Sequence, residues 1–193
     1  MHHTKHPPGE LNFMSQVSHI DGVMISEITT SSDKRGKFSK FLPSDSLNNS
    51  LNSIAISTNF QKGTLRGLHF QIEPFAEEKI VTCLNGSIYD VLVDLRPLSK
   101  TFRKWTTFEL SESSLMQIYI PKGVAHGFQS LTEYSQILYC ITSVYSKQNS
   151  FSINPFCELN ISWPITQHII SDQDSNGLSF DNAASKYAES LVV

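Results

Sequence analysis

The sequence predicts an all-β protein built as an antiparallel sandwich or barrel. From Val23 onward, about ten short runs rich in β-branched and aromatic residues follow one another closely, among them "VMISEITT", "SIAISTNF", "SIYDVLVDL" and "QILYCITSVY". Clusters of Gly, Pro, Asn, Asp and Ser separate these runs, and such residues favour turns through their backbone preferences. A single segment near the C-terminus, "NAASKYAESLVV", has a helical composition.

In chain order, Met1 to Ser18 hold three of the seven histidines and a Pro-Pro-Gly break, with no apolar periodicity. They are expected to form a flexible tail ahead of one domain over 19–193. A metal-binding role for these histidines stands against the plainer reading of a solvated tail. The run "KGTLRGLHFQ" places Arg66 and His69 three residues apart, so a regular strand would send them to opposite faces. Gly67 lies between them, and a glycine within a strand often marks a bulge, which would re-aim both side chains into one cavity. The turn pairs Asn85-Gly86 and Lys122-Gly123 suit hairpins between neighbouring strands. In the C-terminal helix, Asn182 is the expected cap. The chain shows no internal repeat or low-complexity segment.

A chain of 193 residues that is 39% hydrophobic can bury a substantial core. The formal net charge is -3, and the 15 Lys and Arg are scattered, which argues against a nucleic-acid or membrane surface as partner. Cys83, Cys140 and Cys157 are odd in number and lack metal-type spacing, so neither a disulfide framework nor a zinc site is expected. No apolar run approaches the roughly 20 residues needed to cross a bilayer, and the N-terminus is not signal-like. The expectation is a soluble, cytoplasmic protein.

Several residues have the chemistry for a polar pocket: His69, His126 in "PKGVAHGFQSL", Lys79, Asp90, Tyr139, Tyr145, and Asp172 and Asp174 in "IISDQD". Each also has an ordinary reading. A strand-edge histidine is commonly just half-buried and hydrogen-bonded. Asp90 alternates with Leu92 and Asp94 against Tyr89, Val91 and Val93, as on the wetter face of a strand. Tyr139 alternates with Ile137 and Ile141, as in core packing. Lys79 follows two glutamates, as an ordinary surface partner would. Composition and periodicity support a β-barrel with a polar pocket and do not name a reaction.

At "KGTLRGLHFQ" the sequence resembles the dTDP-4-dehydrorhamnose 3,5-epimerase family, the RmlC-type cupins. The likeness extends to "SDKRGKF" (Ser32 to Phe38), "KIVTCLNGSIYDVLVDLRPLSKTFRKW" (Lys79 to Trp105), "YIPKGVAHGFQSL" and the closing "IISDQD". The resemblance implies a cupin jelly-roll β-barrel, a nucleotide-sugar substrate, and a homodimer in which N-terminal strands help complete the partner's site. Carried over by motif, His69 matches the family's base, Asp174 its carboxylate partner, Tyr139 the acid and Lys79 the lysine near the sugar keto group. Arg66, His126, Asp90, Gln71 and Tyr145 become further substrate-binding candidates, with Arg35, Phe38 and Lys40 on the nucleotide side.

The implied chemistry is proton transfer beside a ketone. A C4 carbonyl acidifies the protons on C3 and C5, and an imidazole, with an ordinary pKa of about 6.5, is suited to removing them. The carbonyl is the electron sink, so no cofactor is expected. "LHFQ" also lacks the His-x-His pair of metal-binding cupins. The sequence departs from the family pattern at Lys40, where many members carry glutamate, and at Ile54 and Ile56, where polar nucleotide contacts are expected. Cys140 also stands where a lysine is common, and "NSFSINPFCEL" replaces another family stretch. These departures keep open a single-centre epimerase or one using a GDP-linked or heptose-type sugar. A 3,4-ketoisomerase conflicts with the preserved His69, Lys79 and Tyr139, and a non-catalytic cupin would be expected to have lost the base or the acid.

Overall fold

A computed structural model describes residues 19–41 and 51–192. The expected N-terminal tail, 1–18, lies outside the described residues. Among those described, the strands are β1 (Met24–Glu27), β2 (Thr29–Asp33), β3 (Gly36–Lys40), β4 (Ser53–Asn59), β5 (Leu65–Gln71) and β6 (Lys79–Asn85). They continue as β7 (Ser87–Asp94), β8 (Trp105–Ser111), β9 (Met116–Ile120), β10 (Val124–Ser130), β11 (Ser135–Ile141) and β12 (Ser150–Ser152). Two helices follow, α1 (Asp172–Ser175) and α2 (Phe180–Ser190). The all-β expectation holds.

Two five-stranded antiparallel sheets carry the fold, in the orders β1-β9-β6-β11-β4 and β12-β5-β10-β7-β8, with β2 and β3 as a separate hairpin. Val81, Ile118, Ile120 and Ile137 of the first sheet meet Ile88, Leu92, Leu110 and Phe128 of the second. These side chains recur at every second position because alternate residues on a strand share a face. Phe128 is fully buried, and truncating such a side chain to Ala costs ~3–5 kcal/mol.

The turn expectations need correction. Asn85-Gly86 joins β6 to β7 and Lys122-Gly123 joins β9 to β10, and in both cases the two strands belong to different sheets. Neither is a hairpin turn. Gly86 and Gly123 do have positive φ, at 72° and 77°. A tight reversal demands that backbone whichever sheet receives the next strand, so the motif specified the turn and not the pairing.

The "wetter face" reading of Asp90 is also overturned, since Asp90 and Asp94 are fully buried. β7 is covered on both sides. Its Ile88 and Leu92 face the sandwich interior, while Val91 and Val93 pack outward against Phe180, Ala183 and Tyr187 of α2. Helix α2 begins two residues before the expected cap. Ser179 is its N-cap, and its hydroxyl accepts the backbone N–H of Asn182 at 3.3 Å. Asn182 is thus the capped residue, with its amide in the position that a side-chain oxygen normally satisfies.

Candidate active site

The bulge anticipated at Gly67 is present. His126 of β10 is the register partner of His69, and Phe128 is the partner of Arg66, so β5 advances three residues where β10 advances two. Gly67 has φ of 104°, and a Cβ there would lie 2.7 Å from the His126 carbonyl oxygen and 2.8 Å from Gly127 Cα. Only glycine tolerates both the backbone and the approach. As a result, Arg66 and His69 line the same cavity of about 590 Å³.

The cavity opens where the inner faces of the two sheets change from apolar to polar. On β11, Ile137 belongs to the core and Tyr139, two residues on, packs against it while lining the cavity. Lys79 stands at the start of β6, two residues before the core residue Val81. His69 and His126 come from the opposing sheet. The core reading and the functional reading of Tyr139 therefore describe the same inward face.

Each histidine is held by a carboxylate. His69 Nε2 lies 2.7 Å from Asp174 Oδ1. An ionised carboxylate only accepts, so Nε2 carries the proton and Nδ1 remains the basic nitrogen. Asp174 is buried, and it also accepts the Ser152 hydroxyl at 2.7 Å and the Gly67 N–H at 3.1 Å. Burial alone would push its carboxyl up. The hydrogen bond and charge of His69, with Ser152 and Gly67, outweigh burial and bring it down to about 2. Asp174 belongs to α1, a short helix absent from the expectations, whose cap is the Ser171 hydroxyl accepting the Asp174 N–H. Asp172 on the same helix is exposed and takes no part.

The second pair is His126 and Asp90, with Nε2 2.7 Å from Oδ2 and both residues buried. His126 lines the cavity, whereas Asp90 lies behind it and is no direct substrate ligand within the cavity wall. Asp90 Oδ1 has no hydrogen-bond partner among the described residues. Tyr139 stands edge-on to His126, with ring centroids 5.9 Å apart. Burial, reinforced by the Asp90 charge and partly offset by Arg66, pushes the Tyr139 phenol far above its ordinary value, so it stays protonated at neutral pH.

Lys79 is not a surface residue. Its ammonium is buried and lies 2.7 Å from Glu77, and both line the cavity. Glu77 escaped notice because "AEEK" reads as a solvated charge cluster, and nothing local distinguishes Glu77 from Glu78. Gln71 lines the cavity but is buried with its amide engaged: its two N–H bonds are shared among the Phe75 and Val144 carbonyls and Glu77, and its carbonyl accepts the Ser146 N–H. It therefore supports the wall rather than reaching for a ligand. Arg66 is oriented by its Nε donating to Asn59 Oδ1 at 2.8 Å. Tyr145 stands exposed at the cavity mouth.

Within one chain, Arg35, Phe38 and Lys40 do not reach the cavity. All three lie on the exposed β2–β3 hairpin, where Arg35 pairs with Asp33 and Phe38 is 65% exposed. Among the described residues, no group of three or more His, Cys, Asp or Glu is placed to hold a metal ion.

Comparison with known proteins is consistent with this geometry. The family model described as dTDP-4-dehydrorhamnose 3,5-epimerase matches residues 17–182. The Shigella flexneri protein of that name is 42% identical over 123 residues, covering 63% of this chain and 68% of the relative. Across eight of the curated relatives the aligned stretch spans 59% to 68% of their length. Among solved structures, the Legionella pneumophila 3,5-epimerase in complex with dTDP-4-keto-L-rhamnose superposes with a TM-score of 0.80 at 32% identity, covering 85% of this chain and 90% of that one. A 3'-monoepimerase from Streptomyces bikiniensis, in complex with dTDP-quinovose, gives 0.77 at 27% identity, covering 90% and 88%.

Proposed function

Because the chain belongs to the dTDP-4-dehydrorhamnose 3,5-epimerase family, we propose that it is an epimerase inverting C3, C5 or both in a nucleotide-linked 4-keto-6-deoxyhexose. The observation that carries the reading is the placement of His69 and Tyr139. They stand on opposing sheets and line one cavity, the basic nitrogen on one side and the protonated phenol on the other.

Inversion requires that a proton leave one face of a carbon and another arrive at the opposite face. His69 Nδ1 removes the proton beside the ketone, and Asp174 stabilises the imidazolium that forms. The electron pair moves into the C4 carbonyl. The Lys79 ammonium meets the charge developing on the C4 oxygen, a contribution of ~3 kcal/mol if it matches other oxyanion donors. Tyr139 then delivers its proton from the other sheet. The ketone itself accepts the electrons, so the reaction as proposed calls for no cofactor.

The nucleotide side is proposed to need a second copy. A homodimer that exchanges N-terminal strands would bring the partner's hairpin, with Arg35, Phe38 and Lys40, towards this cavity. The apolar edge strand β4, with Ile54 and Ile56 61% and 57% exposed, offers a surface for such pairing. Light scattering should then report a dimer, and Phe38→Ala should raise KM with little change in kcat. No described helix is long and apolar enough to cross a membrane. The cytoplasm is the proposed compartment on the ground of the nucleotide-linked substrate.

The test is incubation with dTDP-4-keto-6-deoxyglucose in deuterated water, with label followed at C3 and C5 by NMR. Deuterium at both carbons supports double inversion. Label at one carbon identifies a single-centre enzyme, the reading favoured by the likeness to the S. bikiniensis 3'-monoepimerase. No label with dTDP-, GDP- and heptose-linked keto sugars overturns the proposal.

A further inference from the structure

We infer that Glu77 is a positioning residue that holds the Lys79 ammonium in place within the cavity, and that Gln71 anchors Glu77 in turn. The inference rests on the epimerase reading and deepens it. The two carboxylate oxygens of Glu77 have separate tasks. Oε1 lies 2.7 Å from Lys79 Nζ, and Oε2 accepts the Gln71 amide N–H at 3.1 Å. The Gln71 amide is itself bound to Phe75, Val144 and Ser146. Glu77 is thus fixed from behind, and the fixed carboxylate faces the lysine.

Two physical arguments make this arrangement functional. First, a lysine side chain is a flexible four-carbon stem, and in a cavity of about 590 Å³ a free ammonium would sample many positions. An oxyanion donor contributes most when it is already in place, because then no reorganisation occurs as charge develops. Second, the Lys79 side chain is only 8% exposed, and a buried ammonium without a counter-charge is costly. A neutral glutamine at position 77 would meet neither demand fully. Glu78, one residue on, cannot substitute, because alternate residues of an extended chain point to opposite sides.

The experiment compares wild type, Glu77→Gln, Lys79→Met and the double variant for label entry from deuterated water into dTDP-4-keto-6-deoxyglucose, with thermal melting alongside. Glu77→Gln is expected to lower kcat ~10- to 100-fold with KM within about threefold, as for a misplaced catalytic group. In the Lys79→Met background the same change should cost less than about twofold, since a residue that acts through another has no effect once that other is gone. It should also raise the melting temperature of Lys79→Met, because it removes a carboxylate left buried without its partner. Glu77→Asp, which keeps the charge and shortens the reach, should fall between wild type and Glu77→Gln. It takes the place of Glu77→Gln in the comparison if the latter does not fold. Wild-type rates in Glu77→Gln, or an equal loss in both backgrounds, would overturn the inference. Failure of wild type itself to incorporate label into dTDP-, GDP- and heptose-linked keto sugars alike would instead sink the epimerase reading.

Discussion

His69 Nε2 and Asp174 Oδ1 lie 2.7 Å apart although 105 residues of sequence separate them. The contact depends on two local devices. The bulge at Gly67 turns His69 into the cavity, and the Ser171 cap sets the first turn of α1 so that Asp174 points inward. Ser152 and the Gly67 N–H take two further acceptor positions of the carboxylate.

Asp174→Asn should therefore damage catalysis more than binding. An amide can present its NH2 to Nε2 and so favour the wrong imidazole tautomer, and it cannot stabilise an imidazolium. A fall in kcat of ~100-fold or more is expected, with KM little changed. Steady-state kinetics check this, and kcat within threefold of wild type would remove Asp174 from the mechanism.

The same residue gives an acid limb to stability. Its carboxyl is lowered from 3.8 to about 2, so the stabilisation is fully present above about pH 4 and is lost as pH falls towards 2. The contribution is roughly 2 kcal/mol. Urea unfolding at stepped pH should show wild type and Asp174→Asn converging in stability below pH 4. A gap independent of pH would contradict the assignment.

Tyr139→Phe keeps the packing against the core and removes the proton donor. Deuterium should still enter beside the ketone, because His69 can abstract a proton, exchange it with deuterated solvent and return a deuteron to the same face. Label entry with retained configuration is the expected NMR result. Full inversion at the wild-type rate would point to another acid, and Tyr145 at the cavity mouth would be examined next.

Gly67→Ala tests the bulge. Its Cβ would stand 2.7 Å from a carbonyl oxygen on a backbone with φ of 104°, so strain and a shift of β5 against β10 are both expected. The cost should be ~2–4 kcal/mol, with activity falling along with stability as Arg66 and His69 are displaced. Calorimetry and turnover together check this.

Much of the site was legible because its residues sit in motifs tied to backbone geometry. Gly67 advertised the bulge, and "PKGVAHGF" advertised a tight turn ahead of His126. Other features were hidden. Glu77 looks like Glu78 until the path of the chain before β6 is known. Asp90 looks like an alternating surface residue until α2 is seen to cover the outer face of β7 and the opposite sheet the inner one. Gln71 looks like a ligand-facing amide until its four hydrogen bonds are counted.

What the sequence determined by itself was local: the strands, the sharp turns at Gly86 and Gly123, the bulge at Gly67 and the types of residue available for proton transfer. These follow from alternation and from backbone conformations that few residues adopt, and both act over a handful of positions. The tertiary structure alone decided which sheet each strand joins, that His126 pairs with Asp90, and that the Lys79–Glu77 pair faces inward, and it turned the His69–Asp174 pairing implied by the family resemblance into a direct contact. The physical reason is range. A carboxylate 2.7 Å from an imidazole across 105 or 36 residues is the outcome of sheets packing face to face, and no short stretch of chain encodes it.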